Sequence, residues 1–210
     1  MIKIIDEQMI FSLRKIVEGE MSEKRFSHTL GVEREIIRLA QLYVPNKVNM
    51  LSAAALLHDV TKEYTAQRQL DIIGSFGLDV EYYSWQSKKI YHSLTASLLI
   101  PTEYSEYADP ELIHAVSVHT TGCADMNIYD KLLYLADYIE DTRTFDDCVE
   151  LRRYFWEGIE RGEDKHRHLD RTLLLSFDMT MRDLIENGAI ISDKTVDARN
   201  SLIRQMKRGE

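Results

Sequence analysis

The sequence predicts an all-α protein, and three observations carry that prediction. Only 3 prolines and 9 glycines punctuate the 210 residues, which is too little turn chemistry for a sheet-rich chain. Apolar residues, 44% of the total, recur at helical spacing through most of the length instead of alternating. Start and stop signals, a serine ahead of one run and prolines after others, fall at the edges of those runs. The length suits one well-buried core, so residues 1–210 read as a single domain, with a core over about 22–145 and C-terminal helices over 146–210 packed on it.

Residues 1–10 carry Asp6 and Glu7 and lack both a long apolar core and a small-residue cleavage site. No later stretch approaches the length of a membrane span, and the chain reads as cytoplasmic. A helix is expected over 22–43, where Phe26, Leu30, Ile36, Ile37 and Leu39 repeat after a capping Ser22 and before Pro45. The run 50–59 is almost uniformly apolar, as in a helix buried on most of its surface. Over 61–90 the pattern weakens into short polar helices around 66–75 and a turn near Gly77, a segment suited to a lid or to shaping a substrate site. Residues 92–100 form another short apolar helix stopped by Pro101, and 101–110 read as an exposed connection. Helical spacing resumes over 111–119, breaks at Thr120, Thr121 and Gly122, and returns as an amphipathic helix over 129–140. Two longer helices divided near Gly162 are expected over 145–187, and a last one over about 193–206, with 207–210 fraying.

The net charge of −9 argues against general nucleic-acid binding, because phosphate backbones are held by clustered Lys and Arg. Any anionic ligand must meet local positive charge or a cation. Cys123 and Cys148 share no metal-type spacing and give no disulfide framework, so both read as free thiols.

The chemistry concentrates at His58 and Asp59, which follow the run Leu51-Ser52-Ala53-Ala54-Ala55-Leu56-Leu57. Successive helical residues point about 100° apart, so both side chains reach one ion only near a helix end, which Val60, Thr61 and Lys62 supply. A lone His on an apolar helix is more often a hydrogen-bonded core residue, but a carboxylate beside it is costly to bury without a cation or several donors. Asp137, between Ala136 and Tyr138, meets the same difficulty, and an inter-helix ion pair with an Arg is its ordinary alternative. With His28 upstream, two imidazoles and two carboxylates make a donor set for a hard or borderline divalent ion. His92 and His119, each at a helix edge, are assigned to phosphate in preference to a second ion, since neither has a neighbouring carboxylate. His114 reads as structural, and His166 and His168, in a charged run, as solvated surface.

The order His28, His58-Asp59, Asp137 resembles that of the HD-domain superfamily of metal-dependent phosphohydrolases. The flanking words are Arg25-Phe26-Ser27-His28-Thr29-Leu30-Gly31-Val32, Leu57-His58-Asp59-Val60-Thr61-Lys62, His119-Thr120-Thr121-Gly122, Ala136-Asp137-Tyr138-Ile139-Glu140 with Arg143, and Thr195-Val196-Asp197-Ala198-Arg199-Asn200. Together they look like the YqeK family, the symmetrical diadenosine tetraphosphate hydrolases, over roughly residues 25–200. The resemblance implies an HD-type helical bundle and an iron-type divalent metal, with manganese, cobalt, nickel or magnesium as substitutes, held by His28, His58, Asp59 and Asp137. It also implies hydrolysis of diadenosine tetraphosphate to two ADP. His58, Asp59, His92 and His119 would be the catalytic residues. Substrate contacts would come from Arg25, His28, Asp59, Lys62, His92, His119, Thr120, Asp137 and Arg143, with base and ribose contacts from Thr195, Arg199 and Asn200.

Arg25 precedes His28 by one helical turn, which puts both on one face and suits the guanidinium to a phosphate. The chain departs from the family at Asp141 and over 191–194, where prolines are usual, and 145–168 is longer and more charged. The expected partner is a dinucleoside polyphosphate or ADP-like nucleotide, with no nucleic acid or membrane, and a homodimer is compatible. The competing readings are an HD-type phosphohydrolase for guanosine tetraphosphate or a nucleoside monophosphate, a di-iron oxygenase using His92 and His119, and a regulatory nucleotide-binding domain.

Overall fold

A computed structural model describes residues 4–208, and among them there are eleven α-helices and no strand. In chain order these are α1 (Glu7–Glu18), α2 (Glu23–Tyr43), α3 (Val48–Leu57), α4 (Ala66–Ser75), α5 (Val80–Ser84), α6 (Tyr91–Glu103), α7 (Pro110–Val118), α8 (Ile128–Ile139), α9 (Asp146–Glu160), α10 (Lys165–Glu186) and α11 (Asp193–Arg208). Local chemistry sets many of the boundaries. Asp6, Ser22, Thr65, Asp109 and Asp164 each accept a backbone N–H of the first helical turn, and a cap of this kind is worth about 1 kcal/mol. At α8, Asn127 and Asp130 satisfy each other's backbone donors in a reciprocal capping box.

The centre of the molecule is α3. Eight successive residues, Met50 to Leu57, are buried, so the helix has no solvent face and must be enclosed on all sides. It packs against α1, α2, α7 and α8. Helices α9 and α10 pack against α8 and each other, and α11 packs on α10; Leu151, Phe155, Leu173, Phe177 and Leu202 join the common core. No helix among the described residues is long and apolar enough to cross a membrane.

Three expectations need correction. Helix α6 does not stop at Pro101 but runs through it to Glu103. Proline's fixed φ is already helical, and Pro101 lies in the last turn, where the helix absorbs both the missing N–H and the ring's crowding of the preceding turn. The following residues are not an exposed connection: Tyr104 and Tyr107 are buried. The Tyr107 hydroxyl donates to the Met9 carbonyl at 2.9 Å and that of Tyr104 to Glu20, tying this segment to α1, an element not expected from the sequence, and to the turn that follows it. His168 is not solvated surface either. It is fully buried, stacked on Phe155 with its Nε2 3.0 Å from the Phe155 carbonyl, while His166 is exposed. His168, Thr172 and Ser176 lie four residues apart on the inner face of α10, and all are buried.

Candidate metal and phosphate site

Five helices deliver the site. His28 projects from the second turn of α2, His58 caps the C-terminus of α3, and Asp59 lies in the turn beyond it. His92 is in the first turn of α6, His119 caps α7, and Asp137 sits in the last turn of α8. Helix ends dominate because a residue just past the last turn can aim along the axis while the apolar helix remains in the core.

Four side chains converge. His28 Nε2 lies 3.1 Å from Asp137 Oδ1 and 3.7 Å from Asp59 Oδ2. His58 Nε2 lies 3.4 Å from Asp59 Oδ2 and 3.8 Å from Asp137 Oδ1. Ligand atoms about 2.0–2.2 Å from a first-row ion are themselves roughly 3–3.5 Å apart, so this spacing fits one cation with little adjustment.

The far side of each ring strengthens the fit. His58 Nδ1 is 2.6 Å from the Ala55 carbonyl, His119 Nδ1 is 2.7 Å from the Val116 carbonyl, and His28 Nδ1 is 3.1 Å from Glu140 Oε1. Each Nδ1–H donates outward, which leaves Nε2 as the atom that faces the centre, and this is how ligating imidazoles are oriented. His58 Nε2 is buried without any hydrogen-bond partner, an arrangement that costs about 1–3 kcal/mol unless a cation meets the lone pair.

Glu140 is the functional residue that the sequence reading missed. Its fully buried carboxylate also accepts from the Thr142 backbone N–H and hydroxyl, both at 2.7 Å. Burial pushes its pKa up, but the hydrogen bonds from His28 and Thr142 outweigh that and hold it below the usual range. Its place three residues after Asp137, at the C-cap of α8, was the available signal. Gly31, one turn beyond His28, makes room for it: a Cβ there would fall 2.2 Å from Glu140 Oε2.

Charge balance explains the remaining neighbours. Burial would lower the His28 pKa, yet hydrogen bonds to Asp137 and Glu140 and the charge of Asp59 raise it to about 9. Burial acts to raise Asp137, but the Arg143 guanidinium and His28 hold it well below the ordinary carboxylate range. Arg25 Nη1 contacts Asp59 Oδ2 and Arg143 Nη2 contacts Asp137 Oδ1, each at 2.6 Å. The two guanidiniums therefore neutralise the candidate metal carboxylates, and the ion pair weighed for Asp137 is formed alongside its contacts to His28 and His58.

His92 Nε2 stands 3.1 Å from both Asp59 Oδ1 and His119 Nε2, and 3.3 Å from Thr120 Oγ1. Lys62 Nζ lies over the same ring, 3.1 Å from its Nε2. Burial lowers the pKa values of Lys62, His92 and His119. His58, Asp59 and His119 also form a ligand triad of the same compactness as His28, His58 and Asp137. Thr195, Arg199 and Asn200 are not gathered into this cluster. They lie on α11, which meets the turn after His119: a Cβ on Gly122, whose φ is +65°, would fall 2.9 Å from Ala198 Cβ. The Arg199 guanidinium is tied to Asp178. His114 pairs with the buried Asp130 at 2.9 Å, and Cys123 and Cys148 are free thiols.

The HD domain family matches residues 25–142, more than half of the chain and the span that holds His28, His58, Asp59 and Asp137. The chain belongs to the HD-domain family. A symmetrical bis(5'-nucleosyl)-tetraphosphatase of Staphylococcus aureus is 28% identical over 187 residues, covering 89% of this chain and 91% of that protein. A protein of the same description from Halalkalibacterium halodurans is 24% identical over 194 residues, covering 92% and 96%. The crystal structure of a protein from Clostridium acetobutylicum, described as a predicted HD superfamily hydrolase involved in NAD metabolism, superposes with a TM-score of 0.79 at 29% identity and covers 92% of this chain and 96% of its own. Membership in the HD-domain family implies a divalent metal, and the His and Asp cluster supplies the donors for it.

Proposed function

We propose that this protein hydrolyses dinucleoside polyphosphates symmetrically, converting diadenosine tetraphosphate to two ADP in the cytoplasm, with an iron-type divalent ion held by His28, His58, Asp59 and Asp137. The observation that carries the reading is the convergence of outward-anchored imidazoles and buried carboxylates on one point ringed by Arg25, Lys62 and Arg143. The relatives named as symmetrical tetraphosphatases, aligned over most of the chain, supply the substrate.

A divalent cation in that donor set supplies Lewis acidity and brings the pKa of a water towards neutrality. The protein's own groups do the rest. Asp59, with one oxygen towards His28 and His58 and the other towards His92 and His119, orients the attacking water. The water's oxygen bonds to one inner phosphorus and its proton passes to solvent, as the bond from that phosphorus to the central bridging oxygen breaks and the bridging oxygen departs with the electron pair as part of the second ADP. Arg25 and Arg143, moving from carboxylate to phosphate, counter the charge on the equatorial oxygens together with Lys62. His92, His119 and Thr120 ring the leaving phosphate, with the Thr120 hydroxyl as a donor to it, while Thr195, Arg199 and Asn200 hold one ribose and base.

Incubating metal-loaded protein with diadenosine tetraphosphate and separating the products tests this directly. ADP alone is expected. AMP with ATP refutes symmetrical attack, and turnover of guanosine tetraphosphate in place of the dinucleotide refutes the substrate.

A further inference from the structure

A dinucleotide cut at its centre has two equal halves, and the contacts assigned to α11 serve only one. A groove of about 680 Å³ that no α11 residue lines opens beside the cluster, between the start of α2 and the connection 140–145. That volume falls within the roughly 300–1,000 Å³ typical of small-molecule sites. Arg25, Ser27 and His28 line one wall, and Thr142, Arg143 and Phe145 the other.

We propose that this groove receives the second nucleoside of the dinucleoside polyphosphate, with the Phe145 ring stacked on its base. The inference rests on the function proposed above and extends it. The groove is graded from phosphate to base. At its inner end the Nε atoms of Arg25 and Arg143 are buried without hydrogen-bond partners, and the same guanidiniums reach Asp59 and Asp137 at 2.6 Å. These are donors placed for phosphate oxygens. Glu23 and Lys24, at the start of α2, also line the groove, and their opposite charges offset each other, so that end offers no net positive charge to further phosphate. A neutral nucleoside fits there.

Phe145 supplies the remaining element. It is the residue before α9, 72% exposed, and it has no part in the core. Other apolar side chains are equally exposed, Trp85 for example at 73%, so exposure alone is no signal. Its place on the wall of a groove that carries two arginines is what distinguishes it. Aromatic stacking is indifferent to which base is offered, so the subsite selects for a nucleobase without choosing among them.

Kinetics of metal-loaded Phe145→Ala on two substrates test the proposal. With diadenosine tetraphosphate, KM should rise about 5- to 160-fold, the equivalent of roughly 1–3 kcal/mol of stacking per base. With adenosine tetraphosphate, which has a single nucleoside, it should be unchanged, and Phe145→Trp should restore the first value. No rise with the dinucleotide, or an equal rise with both substrates, overturns the assignment. If the wild-type protein does not split the dinucleotide, the function proposed above fails separately, and ADP titration then decides the groove. Two ADP sites are expected, one weakened in Phe145→Ala, and a single site indifferent to the substitution overturns it.

Discussion

Adding one methyl group at Gly31 should disable the metal site while leaving the fold nearly intact. The Cβ of Gly31→Ala would fall 2.2 Å from Glu140 Oε2 and 3.0 Å from its Cδ, so the carboxylate must retreat by about 1 Å to reach ordinary van der Waals separation. Its Thr142 bonds, at 2.7 Å, fix it from the other side, and the contact to His28 Nδ1 already stands at 3.1 Å. A further 1 Å ends that hydrogen bond. Overpacking costs about 1–3 kcal/mol, and replacing a glycine inside a helix returns about 1 kcal/mol. Net destabilisation is therefore about 0–2 kcal/mol, or a few degrees in melting temperature for a chain of this size. Losing the group that orients a ligating imidazole costs far more in relative terms, roughly 10- to 100-fold in metal affinity. Metal titration of stripped protein, read beside a thermal melt, measures both. Gly19→Ala, whose Cβ would meet nothing closer than 3.5 Å, is the control. If Gly31→Ala binds metal as the wild type does, Glu140 does not hold His28 and the account of the ring's orientation is wrong.

Replacing His58 by Ala should abolish turnover with little change in helicity, and near-normal activity in that variant contradicts the ligand assignment. Gly158→Ala puts a Cβ 2.2 Å from the buried His168 ring and should cost about 1–3 kcal/mol by overpacking, while activity per folded molecule persists. An unchanged melting temperature would mean that His168 is not where the fold places it. In stripped protein His28 keeps its proton to about pH 9, and a metal must displace it, so affinity should climb roughly tenfold per pH unit from neutrality towards pH 9. A flat profile removes His28 from the ligand set. The same raised pKa stabilises the stripped fold fully below the unfolded value of about 6.5, and that contribution is lost as pH rises through about 9. Urea midpoints across that range read it.

Much of the fold was legible because its signals are local. Ser22 ahead of α2, the break at Gly122 and the division near Gly162 depend on a few adjacent residues each. Where longer-range packing decides, the reading slipped. His168 sits among charged neighbours, yet one position in three or four on a helix faces inward, and the stripe it shares with Thr172 and Ser176 turns it into the core. Tyr104 and Tyr107 look like loop residues until α1 and the turn after it are present to accept their hydroxyls.

The same division runs through the site. Sequence alone determined the all-helical architecture and the candidates His28, His58, Asp59, His92, His119 and Asp137, since apolar periodicity marks a helix and a carboxylate in an apolar setting announces an unmet charge. Tertiary structure alone decided that His28 leans on Glu140 across the gap left by Gly31, that Arg25 and Arg143 rest on the carboxylates, and that Phe145 flanks a groove. Most of these are meetings between residues far apart along the chain, and Arg143 reaches Asp137, six residues back, only through the turn that follows α8, so their energies depend on distances that no local pattern encodes.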